Sequence, residues 1–402
     1  MAGEFRTISV ALVLNGQQFQ AKLAATSADL QRFEEKATRS GVGAASGMES
    51  AGKAASGMGD RVKTALTNFA AFTGAQLTVQ ALGAAFRGLG GAALEFDANM
   101  HNVNSLAQLS QAGLSKLSEQ VLGLAKSGQF LQSATDMSSG LYDLASSGFG
   151  PANGGLQVLT ASLTSATAGM TDTATAVRGT TAVLNAYGMG ADQADHVSNV
   201  LFGTVNRGVI TYSELADQIG DVVGIAAAAK VPVEDVGAAI ATMTLSGISG
   251  AEATTSLNRV IQSIINPSDQ MATVLHQLGY ESGAQAIQVD GLRGVIDKLR
   301  GATGGQVQAL IELFPEIRSA RGAFALMAND GKTYADQAAY MATVDRGQGE
   351  AMRAKTEQMK SLSAQITVMW NAIQSGAIEA GQRAVPYVTA ALKDVQNITK
   401  SV

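Results

Sequence analysis

Cysteine is missing from all 402 residues, so neither a disulfide nor a thiolate-held metal can form. Aromatic residues are only 5% of the chain and charged residues only 15%. Few large side chains means that each contact buries little area, so stability has to come from many modest contacts or from association with further copies. The formal charge of −5 leaves no basic stripe to neutralise phosphates, which argues against sequence-specific nucleic-acid binding. Histidine is scarce as well: His101, His196 and His276 stand far apart along the chain, whereas zinc peptidase chemistry needs clustered imidazoles. Each therefore reads as an ordinary helix-surface residue. No Gly-x-Ser-x-Gly elbow supports a nucleophile, and Gly301-Ala-Thr-Gly-Gly305 lacks the Lys-Ser/Thr of a phosphate loop. Glu281-Ser282 resembles the Glu-Ser pair of lytic transglycosylases, but the surrounding motif is absent and Glu281 follows a helix-ending Leu-Gly, so it reads as a solvated loop acid. No catalytic, cofactor or metal site is expected, and the chain reads as a structural object, not an enzyme.

What is present is alanine, glycine, serine and threonine in a regular order. Ser133, Thr173, Ser213 and Ala253 each open a helical stretch, with a period of roughly 40 residues, and the first two stretches close on the same period at Gly148 and Gly188. Intervening helices are expected at Gly155–Ala168, Asp192–Asn206 and Val233–Leu245, making each period a helical hairpin stacked on the next. Thr211 with Glu214 and Ser249 with Glu252 have capping-box spacing, and Pro232 and Pro267 read as first helical residues.

The flanks differ in kind. Ile8, Val10, Leu12 and Leu14 alternate as in a short strand, not as in the apolar core of a targeting signal. Residues 1–40 read as a strand-helix element and residues 41–59 as a linker, with six glycines and two charges. Residues 60–97 form an apolar, small-residue helical segment. Within it Thr64–Phe86 carries no charge over its whole extent, which is long enough to span a membrane, though Thr67, Asn68, Gln76, Thr78 and Gln80 oppose that. A buried or oligomeric helix and a conditional membrane-inserting segment both remain open. Hairpins are expected over 98–300 and a helical extension over 301–349, including one helix from Val307 to Leu326. Over 350–402, Met352, Met359, Leu362, Ile366, Met369, Trp370 and Ile373 recur at spacings of a long packing seam, with a kink at Pro386. The fold class is all-α: an array of short antiparallel helical hairpins flanked by long helices, with a short N-terminal strand.

From about Phe96 to Leu299 the chain resembles the core of phage tail tape measure proteins. The residues that carry this, in order, are Leu144-Ala-Ser-Ser-Gly148, Asn185-Ala-Tyr-Gly188 with Ala194-Asp195, Tyr212-Ser-Glu-Leu215, and Lys230-Val-Pro-Val-Glu234 with Ala238-Ala-Ile-Ala241. Leu245-Ser-Gly-Ile-Ser-Gly250, Thr254-Thr-Ser-Leu257, Leu278-Gly279 and Asp290-Gly291 complete the order, and Ala384-Val-Pro386 resembles a proline region of that family. The resemblance implies a structural protein in the lumen of the tail tube that sets tail length during assembly and leaves on genome ejection. It implies tail tube protein, tail assembly chaperones and tail tip or baseplate proteins as partners, and a homo-oligomer of three or six copies. Contact with the host inner membrane through residues 64–86, a place in the virion tail and assembly in the bacterial cytoplasm belong to the same expectation. Family members are much longer, so this chain reads as a portion. The alternative from another class is a pore-forming or membrane-remodelling toxin; a helical-repeat adaptor would need more exposed aromatic anchors.

Overall fold

The computed structural model describes residues 79–400, and every described element is helical. The expected strand at residues 8–14, the linker at 41–59 and most of 64–86 lie outside the described residues. The chain divides into two compact units, residues 99–368 and residues 1–98 with 369–402.

The first unit is built as two layers. In one lie α3 (Ala134–Ser146), α5 (Thr173–Tyr187), the pair α7 (Tyr212–Gln218) and α8 (Gly220–Ala228), and α10 (Gly250–Ile265). In the other lie α4 (Gly155–Ala168), α6 (Ala194–Arg207) and α9 (Val233–Leu245). Each helix packs on its successor and on the next helix of its own layer, which is the hairpin array that the punctuation predicts. The tail of α1 (Val79–Ala107) and α2 (Gln111–Lys126) precede the array. After it, α11 (Asp269–Gln277), α12 (Gly283–Ala302) and α13 (Val307–Leu313) form a satellite group, while α14 (Ile317–Met327) packs on α10 and α15 (Lys332–Met341) on α9. Finally α16 (Glu350–Gln358) runs back across α4 and α6, and α17 (Leu362–Lys400) follows.

The period is slightly shorter than 40. The residues that precede the first-layer helices are Ser133, Asp172, Thr211 and Ser249, so the steps are 172 − 133 = 39, 211 − 172 = 39 and 249 − 211 = 38. Hydrogen bonds repeat on nearly the same interval: Asn185 Nδ2 donates to the Ser147 carbonyl at 3.1 Å, Ser198 Oγ to the Ala161 carbonyl at 3.2 Å, and Arg178 pairs with Asp217 at 2.8 Å. Helix ends explain the regularity. At the end of each of the first three first-layer steps the chain turns through a left-handed residue, Gly148, Gly188 and Lys230, and the next amide returns to a carbonyl of the last turn, as in Phe149 N to Leu144 O and Met189 N to Leu184 O.

Several local expectations shift. Thr211 and Glu214 do form a capping box, and so do Ser133 and Asp136. The Ser249 side chain makes no capping bond, and Glu252 instead lies 3.6 Å and 3.7 Å from Arg318 and Arg321 of α14. Pro232 precedes the first helical residue, and Ser268, not Pro267, caps α11 by accepting from Met271 N. The expected helix from Val307 to Leu326 is two helices, because Pro315 has no amide to donate and disfavours helix at the residue before it. Asp290-Gly291 is a kink inside α12, with Gly291 at φ 69°. Where the seam spacing reads as one helix from Glu350, the structure has two, parted at Met359–Ser361; Ser361 Oγ accepts from Ala364 N and so starts α17, which then runs through Pro386 to Lys400.

In the second unit Ala92, Phe96, Ala377 and Ile378 are buried, and Gly381 stands close to the Ala93 methyl. Among the described residues no helix is long and apolar enough to cross a membrane.

Candidate functional site

The richest polar constellation lies along one edge of α6, where His196, Asn199, Gly203, Asn206 and Arg207 follow at helical spacing and face the segment from α15 to α16. Gly203 belongs to the buried face of α6 with Val197, Val200, Leu201 and Thr204, and the other four residues form the shoulder of the same amphipathic helix. At Gly203 the missing side chain admits Met341, Val344 and the Tyr340 ring.

His196 is the hub. Its Nδ1 lies 2.6 Å from Asp345 Oδ2, in the turn before α16, and its Nε2 lies 3.3 Å from Glu234 Oε1 on α9. Asn199 Nδ2 donates to the other Asp345 oxygen at 2.7 Å, while its Oδ1 accepts from the Ala351 amide at 3.1 Å and thereby serves a free amide of the first turn of α16. Lower down, Asn206 donates to Tyr340 Oη at 2.8 Å and to Glu350 at 3.3 Å, and Arg207 bonds Gln337 at 2.8 Å with its guanidinium over the Tyr340 ring. The hydrogen bond to Glu234, reinforced by Asp345, raises the His196 pKa to about 9 against the desolvation that opposes it. The same bond to His196 holds Glu234 below the usual carboxylate range, while burial pushes its neighbour Asp235 up.

With both ring nitrogens engaged, the imidazolium has no lone pair for a base or a metal ligand. This arrangement ties elements together; it does not perform acid-base chemistry. A pH dependence follows. Because the folded pKa is raised, the contribution of His196 is complete below its ordinary value near 6.5 and disappears as the pH passes about 9. Asp345 is half exposed, so solvent screening reduces the tie to about 1–2 kcal/mol. His196→Ala is expected to lower stability by that amount at pH 6.5 and by little at pH 10, measured by thermal unfolding of both chains at the two pH values. An equal gap at both would remove the ionic origin.

The other residues weighed from sequence are not brought together. His101 and His276 are exposed, on α1 and α11. Glu281 and Ser282 are exposed at the start of α12, where Ser282 Oγ accepts from Gln285 N and the Glu281 amide donates to Gln285 Oε1: a helix cap. Gly301–Gly305 is the stop of α12, with Gly304 and Gly305 left-handed and the Gly305 amide returning to Arg300 O. Tyr280, Asp290 and Lys298 form a cluster that brackets the kink at Gly291, with Lys298 2.8 Å from Asp290. Among the described residues no group of three or more His, Asp or Glu is arranged to hold a metal. A shallow hollow of about 510 Å³ beside Asp269, Val274, Thr303 and Glu312 is open to solvent. His196 is thus the residue that sequence reading misses. Its signal is the polar series 196, 199, 206, 207 at helical spacing, legible as a face but not as a partner-bearing one.

The stack of capped hairpins joined by ties resembles proteins of phage tails. The profile of the phage-related minor tail protein family matches residues 118–314. The tape measure protein of Pneumococcus phage Dp-1 is 27% identical over 99% of this chain, and the probable tape measure protein of Clostridium phage phiCD119 is 26% identical over 69% of it. The chain is thus similar to tape measure proteins. It spans about a third of the length of these relatives, 32% and 30%. No solved structure matches it. None of the matches favours the pore-forming alternative.

Proposed function

We propose that this chain is the packed hairpin portion of a tail tape measure protein that occupies the tube lumen, sets tail length during assembly and leaves at genome ejection. The observation that carries the reading is the similarity to the Dp-1 tape measure protein along 99% of the chain, with the family match lying on the hairpin array. Its role is mechanical and not enzymatic. Partners are the tail tube protein, the assembly chaperones and the tip or baseplate proteins, with three or six copies to suit the tail's symmetry. Contact with the host inner membrane falls to residues 64–86. The site of assembly is the host cytoplasm and the final place the virion tail. The domain boundaries proposed are those of the sequence: 1–40, 41–59, 60–97, 98–300, 301–349 and 350–402.

The ruler is the extended helix and the array is its folded attachment. Removing two heptads from α17, residues 369–382, in the complete phage protein is expected to shorten tails by up to 14 × 1.5 Å, about 21 Å, quantised by the height of one tube ring. Tail lengths on negatively stained particles measure it. Normal-length tails would place the length-setting residues elsewhere in the protein.

A further inference from the structure

The break between α16 and α17 contains no proline and no glycine: it is Met359-Lys360-Ser361. More telling is the register across it. Met352, Met359, Ile366 and Ile373 are spaced by sevens, and so are Lys355, Leu362 and Met369, offset from the first series by three. An a/d heptad pattern therefore continues through the break without a stutter, although two unrelated helices joined by a turn have no need to share one. In the structure only Lys355 of these seven positions is buried; Met352 and Leu362 are exposed, Leu362 by 61%, and the other four are half-buried.

α16 packs on α4 and α6 but buries few of its own side chains. Of its nine residues only Ala351 and Lys355 are buried. Lys355 carries its ammonium over the Phe130 ring at 4.3 Å, and burial pushes its pKa below the ordinary lysine value. Besides its packing on α4 and α6, the helix and the turn before it are tied to the polar edge of α6: His196 to Asp345, Asn199 to Asp345 and to the Ala351 amide, and Asn206 to Glu350. The preceding turn has Gly347 and Gly349 at positive φ, conformations that glycine adopts without strain.

We propose that α16 is a detachable strap: released from α4 and α6, it fuses with α17 into one helix from Glu350 to Lys400 carrying an unbroken heptad seam. Release frees a buried ammonium and a polar interface; fusion converts the three-residue turns of the Lys360 and Ser361 amides, to Glu357 O and Gln358 O, into helical bonds one residue further back, and replaces the Ser361 cap by helix interior. The two forms differ in whether Leu362 is the first residue of a helix or an interior one.

That difference supplies the test, which is independent of any role in the tail. Proline is tolerated at a first helical position and excluded from an interior. Leu362→Pro thus suits the strapped form and forbids the fused one. With no cysteine in the chain, spin labels at Gln157→Cys on α4 and Arg353→Cys on α16, both exposed, report the strap by pulsed dipolar distance measurement. In a His196→Ala, Asn199→Ala background a second, longer distance is expected, and adding Leu362→Pro should reduce it by about a hundredfold, the equivalent of an interior proline. In the otherwise parent chain Ser361→Ala should raise the longer population about fivefold, as loss of a cap does. A single short distance in the loosened and Ser361→Ala chains, or a long distance that Leu362→Pro leaves in place, would overturn the proposal.

Discussion

Excision of residues 211–248, one full period, is expected to abolish the folded state and, in the phage, tail assembly. In an open solenoid each repeat touches only its neighbours, and removal of one repeat is tolerated. Here the array is closed by later elements: α15 packs on α9, α14 on α10, and α16 reaches back to α4 and α6. Deleting the period removes α9 and Glu234, leaves α15 without its seat, and shifts α10 and α14 by a step that the short α15–α16 connection cannot follow. Loss of cooperative thermal unfolding by circular dichroism, together with an absence of tails, is the expected result. A shortened chain that unfolds cooperatively near the parent temperature would show that the closing helices are accessory.

Gly179→Leu is expected to cost about 3 kcal/mol or more, enough to unfold much of the array. Gly179 lies on α5 where α7 crosses it, and a Cβ built there would stand 2.8 Å from the Ala216 Cβ and 3.0 Å from the Ala216 Cα. The second of those is backbone, which cannot rotate aside. Gly140 holds the equivalent place on α3, one period earlier, and faces Thr173 of α5. Glycine here sets how closely successive first-layer helices approach, and Leu would wedge one period from the next. Denaturant unfolding of Gly179→Ala and Gly179→Leu measures the effect. A loss below about 1 kcal/mol for leucine would mean that the layers can slide apart freely.

The hairpin array was legible because its cause is local. Gly155–Ala168 and Val233–Leu245 are helices at the same bounds in sequence and structure, since the glycine and proline that precede them, Gly154 and Pro232, and the left-handed residues just beyond them, Met170 and Gly247, act within a few residues of themselves. The same locality explains why the period falls slightly below 40: Asp172, just before Thr173, is the stronger acceptor, with its carboxylate taking the Thr175 amide at 2.8 Å. Other local readings failed where a distant charge competed. Ser249 and Glu252 have capping-box spacing, yet Glu252 is drawn to Arg318 and Arg321, on a helix that comes much later in the chain.

Composition, caps and period, read from the chain alone, determined an all-helical stack, and ordered motifs carried its resemblance to tape measure proteins. Only the tertiary structure decided that the stack is closed by α14, α15 and α16, that His196 is a charged tie and not an ordinary surface histidine, and that the seam from Met352 is broken at Met359–Ser361. The reason is physical. Capping and left-handed turns are energies of neighbouring residues, whereas a salt bridge between residues 196 and 345, or the seating of α16 on α4, exists only once the intervening chain has brought them within reach.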